Sequence, residues 1–202
     1  MTRPYRLGKR AVQAAEMRQR IIDAARDLIV EASVRDTSLD AVARRAGTTR
    51  TTVYHQFGSR EELLLAVLND ALDRADVRDV RKALQHPDAA QAMRRTIRAS
   101  CRFWAGERAL FAQVKGLAAI DEAMAAVNAN KEGVRRGHLT NLVGRLAEQG
   151  CLRTGCSERK ALDTLLLLTS FETLDQLHGR SRMPVDATAS MLTDLAARTL
   201  LK

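Results

Sequence analysis

Between Gly47 and Leu63 the sequence reads GTTRTTVYHQFGSREEL, and Thr48 to His55 alone holds four threonines, an arginine, a tyrosine and a histidine. The chemistry open to this set is recognition rather than bond-making. Hydroxyl, phenol and imidazole groups donate to phosphate oxygens, and a threonine methyl meets the methyl of thymine. An arginine pairs bidentately with guanine O6 and N7. Threonine and valine lose χ1 freedom in a helix, so a short helix written with them gives up propensity for its side chains. The plain alternative is a small buried helix whose threonines bond their own backbone.

The flanking elements decide between these. From about Ala14 to Ala32, Met17, Ile21, Ala25, Leu28 and Ala32 recur at the helical period with charges between them. A second helix follows, capped by Thr37 or Ser38, with Asp40 in its first turn and Leu39, Val42, Ala43 and Ala46 inward. It stops at Gly47, where a left-handed conformation suits a chain reversal. A third, short helix spans about Thr49 to His55. Then Ser59-Arg-Glu-Glu62 matches a capping box, opening a fourth helix through Leu63, Leu64, Val67, Leu68 and Ala71. Two helices joined across a glycine, the second short, form a helix-turn-helix whose second helix enters the major groove. In that frame Thr49 caps the helix and reaches a phosphate. Thr51 or Thr52 presents a methyl or hydroxyl to a base, and Arg50 reads guanine. Tyr54 and His55 donate to phosphates, Arg60 adds a cation, and Val53 and Phe57 anchor the helix.

The run TSLDAVARRAGTTRTTVYHQFGSREEL resembles the DNA-binding domain of the tetracycline-repressor (TetR) family. The likeness lies in the cap, the A-x-x-A-G turn, the hydroxyl-rich third helix, its Tyr-x-x-Phe ending and the Ser-Arg-x-x-Leu start of the fourth. It covers about residues 14–75. The resemblance implies that Thr48, Thr49, Arg50, Thr51, Tyr54, His55 and Arg60 contact DNA. Thr37 and Thr52 complete the expected set. Thr48 stands where the family often has an aliphatic residue, and Arg60 where it often has lysine.

Charge agrees with a polyanionic partner. The chain carries +9 overall, and residues 1–60 hold 12 Lys/Arg against 6 Asp/Glu. Residues 1–12, with Arg3, Arg6, Lys9 and Arg10, read as a flexible basic arm, either a solvated tail or a DNA-backbone or minor-groove arm. Residues 13–75 are the expected DNA-binding domain and 76–202 an effector-binding and dimerisation domain. No apolar h-region follows the basic start, and no apolar run exceeds the six residues of Leu63–Leu68, so a cytoplasmic protein is expected, on the nucleoid when bound. Cys101, Cys151 and Cys156 are too few and too irregular for a disulfide framework. No cofactor is expected and no metal: His55, His86, His138 and His178 are scattered, without a Cys/His pair at ligand spacing.

The rest reads as helices near 76–84, 88–105, 107–118, 120–129, 131–149, 158–178 and 186–201. The expected class is all-α: a three-helix helix-turn-helix head joined to a larger helical domain. The four leucines at 165–168 point all round one turn, so one face covers the domain's own core and another a partner. Together with the last helix this predicts a four-helix homodimer interface through Leu162, Leu165, Leu166, Thr169, Leu192, Ala196 and Leu200. A two-fold axis would set two recognition helices about 34–36 Å apart on a pseudo-palindrome. Cys101, Phe103, Trp104, Phe111, Met124, His138, Phe171 and Asp175 are candidates for a pocket holding an apolar or aromatic small-molecule effector. The function expected is a homodimeric regulator, a repressor released by that effector. The alternative is a sequence-specific or architectural DNA-binding protein without one. An enzyme is not expected: there is no G-x-S-x-G elbow, P-loop, H-E-x-x-H pair or paired-carboxylate site.

Overall fold

The computed structural model describes the chain apart from residues 1–2, 33, 35–36 and 75–76, and gives no side chains for residues 3–10, 74, 77 and 123. The expected boundary at 75/76 and the side chains of Arg3, Arg6, Lys9 and Arg10 lie outside the described residues. Among those described, all regular elements are helical, with one isolated bridge pairing Leu152 and Leu201. The helices are α1 (Arg3–Glu31), α2 (Leu39–Arg45), α3 (Arg50–Phe57), α4 (Arg60–Arg74), α5 (Val77–Leu84) and α6 (Ala89–Gly106). There follow α7 (Arg108–Ala118), α8 (Glu122–Glu148), α9 (Glu158–Leu168), α10 (Phe171–Leu174), a π-helical turn (Asp175–Arg180) and α11 (Val185–Leu200). Contacts divide the chain into two compact units, Met1–Ala71 with Ala112–Ala125, and Leu72–Phe111 with Ala126–Lys202.

The first unit buries Ile21, Ile22, Ala25 and Ile29 of α1 with Val42, Ala43, Val53 and Phe57 of the next two helices and Leu63, Leu64, Val67 and Leu68 of α4. Helix α1 begins at Arg3, so the backbone from residue 3 to 12 is helical where a flexible arm was expected. Pro4 falls in the first turn, where an absent amide forfeits no intrahelical bond, and a single Gly8 costs only about 1 kcal/mol. Gly47 (φ +64°) ends α2 in a Schellman motif: the Thr48 amide donates to Ala43 O at 2.9 Å and the Gly47 amide to Arg44 O at 3.3 Å. Ser38, of the two caps considered, is the one that accepts from the Ala41 amide.

In the second unit α5 and α11 both pack on α6, and α11 also on α9. Arg145 of α8 and Gln149 just after it donate to carbonyls at the end of α5 and in the α5–α6 connection, with Arg145 Nη1 on Leu84 O at 2.6 Å and Gln149 Nε2 on Pro87 O at 2.9 Å. Two helix boundaries differ from expectation. Helix α8 runs unbroken where two helices were predicted, because Asn128 and Asn130 cost only tenths of a kcal/mol each and no proline interrupts it. Its start is set instead by Asp121, whose carboxylate accepts from the Met124 amide at 3.0 Å. The helix predicted over 158–178 is broken at Thr169 and Ser170. Thr169 Oγ1 turns back to Leu165 O at 2.7 Å, and Ser170 caps α10 by accepting from the Thr173 amide.

Candidate nucleic-acid interface

Helix α3 is held at both ends. At its N-cap, Thr49 Oγ1 accepts from the Thr52 amide at 3.2 Å and shares a 2.9 Å hydrogen bond with Thr52 Oγ1. Those two hydroxyls serve each other. At its C-terminus Arg18 of α1 donates to Gln56 O at 2.8 Å and lays its guanidinium 4.2 Å from the centre of the Phe57 ring. Val53 and Phe57 are buried beneath. The opposite face carries Arg50, Thr51, Tyr54 and His55, all exposed, with Thr48 half-buried just before it. Tyr54 is 60% exposed, too much for a tyrosine that the core needed. Thr51, Tyr54 and His55 make no side-chain hydrogen bond among the described residues, so their polar groups are free for a ligand.

Arg50 Nη1 donates to Asp40 Oδ2 of α2 at 3.3 Å. Arg44 in the last turn of α2 is exposed on the same element, while Arg45 is paired with Glu31. Two members of the expected set are placed otherwise. Thr37 is 2% exposed, so its side chain presents nothing to solvent. Arg60 donates through Nε to Thr37 O at 3.0 Å and through Nη2 to Val34 O. The connection between α1 and α2 leaves those carbonyls without helical partners, and a guanidinium's fork of donors satisfies both. Arg18, Asp40 and Arg44 were not named as site residues. Exposure in the last turn of α2 would have flagged Arg44, but Arg18 meets α3 across 38 positions of sequence and leaves no local mark.

In the second unit the rings of Phe103, Trp104, Phe111 and Phe171 form one cluster. Trp104 lies 4.8 Å from Phe111, 4.6 Å from Phe103 and 5.7 Å from Phe171 between centroids, mostly edge to face. Its Nε1–H donates to Thr169 O at 2.9 Å, and Arg135 donates to Thr169 Oγ1 at 2.8 Å. Cys101 is buried one turn earlier on α6, and burial pushes its thiol up to about 11. Asp175 accepts from Arg108 Nε at 2.8 Å and from Arg180 Nε at 3.4 Å. A Cβ on Gly179 would collide with that Arg108–Asp175 pair, which is why the turn carries glycine. His138 is exposed on α8, and Met124 is buried within the first unit.

The expected interface residues are also redistributed. Leu165, Thr169, Leu192, Ala196 and Leu200 are buried within the single chain, and Leu162 and Leu166 are half-buried. The helices are amphipathic as expected, but their strongest apolar stripe closes the chain's own core. On α9 and α11 the exposed large apolar residues are Leu167 (63%), Met191 (39%) and Leu195 (49%). Among the described residues no three His, Cys, Asp or Glu are grouped to hold a metal, and no helix is long and apolar enough to cross a membrane.

A capped helix, a left-handed glycine and a short, outward-facing polar helix define a helix-turn-helix protein. Residues 21–67 match the family model described as bacterial regulatory proteins, tetR family. That match covers the helix-turn-helix head, which is similar to the DNA-binding head of the TetR family. Over 60 residues it is 52% identical to the HTH-type transcriptional regulator SrpR of Pseudomonas putida, a stretch that is 30% of this chain and 28% of SrpR. The chain thus matches less than a third of the length of that relative. Among solved structures it resembles the TetR-family transcriptional regulator PfmR of Thermus thermophilus, at TM-score 0.67 and 26% identity over 90% of this chain and 99% of that one. It also resembles, in fold, a transcriptional regulator of Saccharomonospora viridis solved in complex with choline, at TM-score 0.75 and 19% identity, covering 93% and 99%.

Proposed function

We propose that the protein is a homodimeric transcriptional regulator that represses from a pseudo-palindromic DNA operator and is released by a small-molecule effector. The observation that carries this reading is the exposed face of α3, where Thr51, Tyr54 and His55 have no internal partner among the described residues and stand beside Arg50. Thr51 and Thr48 meet base edges or thymine methyls, Arg50 reads guanine, and Tyr54 and His55 donate to phosphates. Thr49 and Thr52 act through the cap that shapes the helix start, and Arg44 adds a phosphate contact.

Two chains pair through the outer faces of α9 and α11, with Leu167, Met191 and Leu195 as the apolar centre. A shallow groove of about 470 Å³ beside Leu167, lined also by Lys160, Asp163 and Thr164, supplies a polar rim. The effector is apolar or aromatic and enters among Phe103, Trp104, Phe111 and Phe171, with Cys101 at the edge and the Arg108–Asp175 pair as polar margin. Four of the chain's seven aromatic residues meeting at one place supports that choice. One protein of the same fold was solved in complex with choline, which supports a small-molecule ligand for a chain of this fold. Release follows when the effector prefers a dimer geometry that DNA does not.

The test is fluorescence anisotropy on a duplex selected by the protein from a randomised pool, with a scrambled duplex as competitor across a salt series. Binding that resists the competitor, with a slope of several released counterions, is expected. Equal, salt-labile binding to both duplexes would remove the regulator reading. Trp104 is the sole tryptophan. A compound that releases the duplex is therefore expected to shift its emission, and release with unchanged Trp104 emission would place the effector elsewhere.

A further inference from the structure

We propose that Asp40 is a specificity-determining positioning residue, holding Arg50 in the pose that reads its base. The proposal rests on the assignment of α3 as the DNA reader. Asp40 sits in the first turn of α2 and Arg50 at the start of α3, so the 3.3 Å pair spans the turn of the motif. Both side chains are more than half exposed, at 52% and 67%, so folding gains little from their pairing. Asp40 has an alternative cation in Arg44, one turn along its own helix at the usual i,i+4 spacing, yet its carboxylate reaches across to Arg50. A free carboxylate on a surface that meets phosphates costs affinity for any duplex. An acid also suits the positive N-terminal end of α2, but that role does not require the carboxylate to reach across to Arg50.

Arginine loses much rotamer freedom on binding, and a guanidinium already oriented loses less for each hydrogen bond formed. Asp40 engages Nη1 alone, which leaves the remaining N–H groups for a bidentate contact with guanine O6 and N7. With the acid in place, Arg50 is less able to swing to a phosphate, a contact that would add affinity without selectivity. Asp40 thus trades general DNA affinity for discrimination at one base pair.

The test is selection of duplexes from a randomised pool by the full-length protein and its D40N, D40E and R50A variants. Anisotropy is then measured on the selected duplex and on a scrambled one, with melting temperature as a fold control. Wild type is expected to select guanine at one position of each half-site, and R50A to lose that preference alone. D40N is expected to lose the same preference by about tenfold, within the discrimination one bidentate contact supplies. It is also expected to bind the scrambled duplex about two- to fivefold more tightly, as one fewer negative charge faces the phosphates. D40E retains most of the preference. A fold defect cannot lower selectivity at one position while raising non-specific affinity. A D40N motif identical to wild type, while R50A loses its guanine, would overturn the proposal and leave the reader assignment intact. If D40N flattens all positions together with a lowered melting temperature, Asp40 is structural and the proposal fails. If R50A keeps every preference, the base-reading role of Arg50 fails and the proposal with it.

Discussion

Single side chains decide what the third helix offers a ligand. Threonine is a modest helix former, yet two of the four threonines here build the cap and only Thr51 is both exposed and uncommitted. Arg18 is a surface arginine whose guanidinium closes the C-terminus of the recognition helix, pairing a carbonyl with a ring face. Arg18→Ala is expected to weaken binding to every duplex about two- to fivefold, the value of such a cation–ring contact. The slope of log affinity against log salt should stay unchanged, because no phosphate contact is lost; a reduced slope in the same anisotropy assay would make Arg18 a phosphate ligand instead. Cys101 is the other residue whose surroundings set its chemistry. Its thiol ionises at about 11 in the folded chain against an ordinary 9.0. The unfolded chain therefore loses this proton first, and the contribution to stability, complete below pH 9, falls between pH 9 and 11. Alkylation at about pH 8 followed by mass spectrometry is expected to label half-exposed Cys151 and Cys156 and to spare Cys101 until the protein is denatured.

At the scale of elements, helix ends matter more than helix interiors. The α2–α3 turn depends on Gly47 at φ +64°, and a Cβ there would meet no atom within 4 Å. The cost of Gly47→Ala is therefore conformational alone, about 1 kcal/mol for a left-handed alanine. A lower melting temperature is expected by calorimetry, with DNA affinity reduced because the turn sets the angle of α3. No change in either would show that the turn relaxes freely. The start of α2 at Leu39, the stop at Gly47 and the onset of α4 after Ser59 were all legible, because each is written in a cap or a glycine within a few residues. The break at Thr169-Ser170 was not. A local apolar period continues through it, and the carbonyl of Thr169 goes to Trp104, 65 positions away.

For the whole molecule, the decisive question is which apolar faces the chain keeps for itself. Leu165, Leu192, Ala196 and Leu200 are consumed in its own core, whereas Leu167, Met191 and Leu195 are left outside. Leu167→Asp combined with Leu195→Asp is expected to give a monomer by light scattering, with melting temperature little changed since neither residue is buried. DNA affinity should fall to that of a single half-site. A dimer that survives both charges would place the two-fold contact elsewhere. Sequence alone determined the helical class, the head with its turn and caps, and the polar face of the third helix, because these depend on interactions between residues close together in the chain. Tertiary structure alone decided that Thr37 is buried, that Arg60 is spent on backbone carbonyls, that Asp40 meets Arg50, and which leucines remain exposed. Those outcomes depend on which distant groups compete for the same carbonyl, cation or apolar area, and that competition is resolved only when the helices are packed.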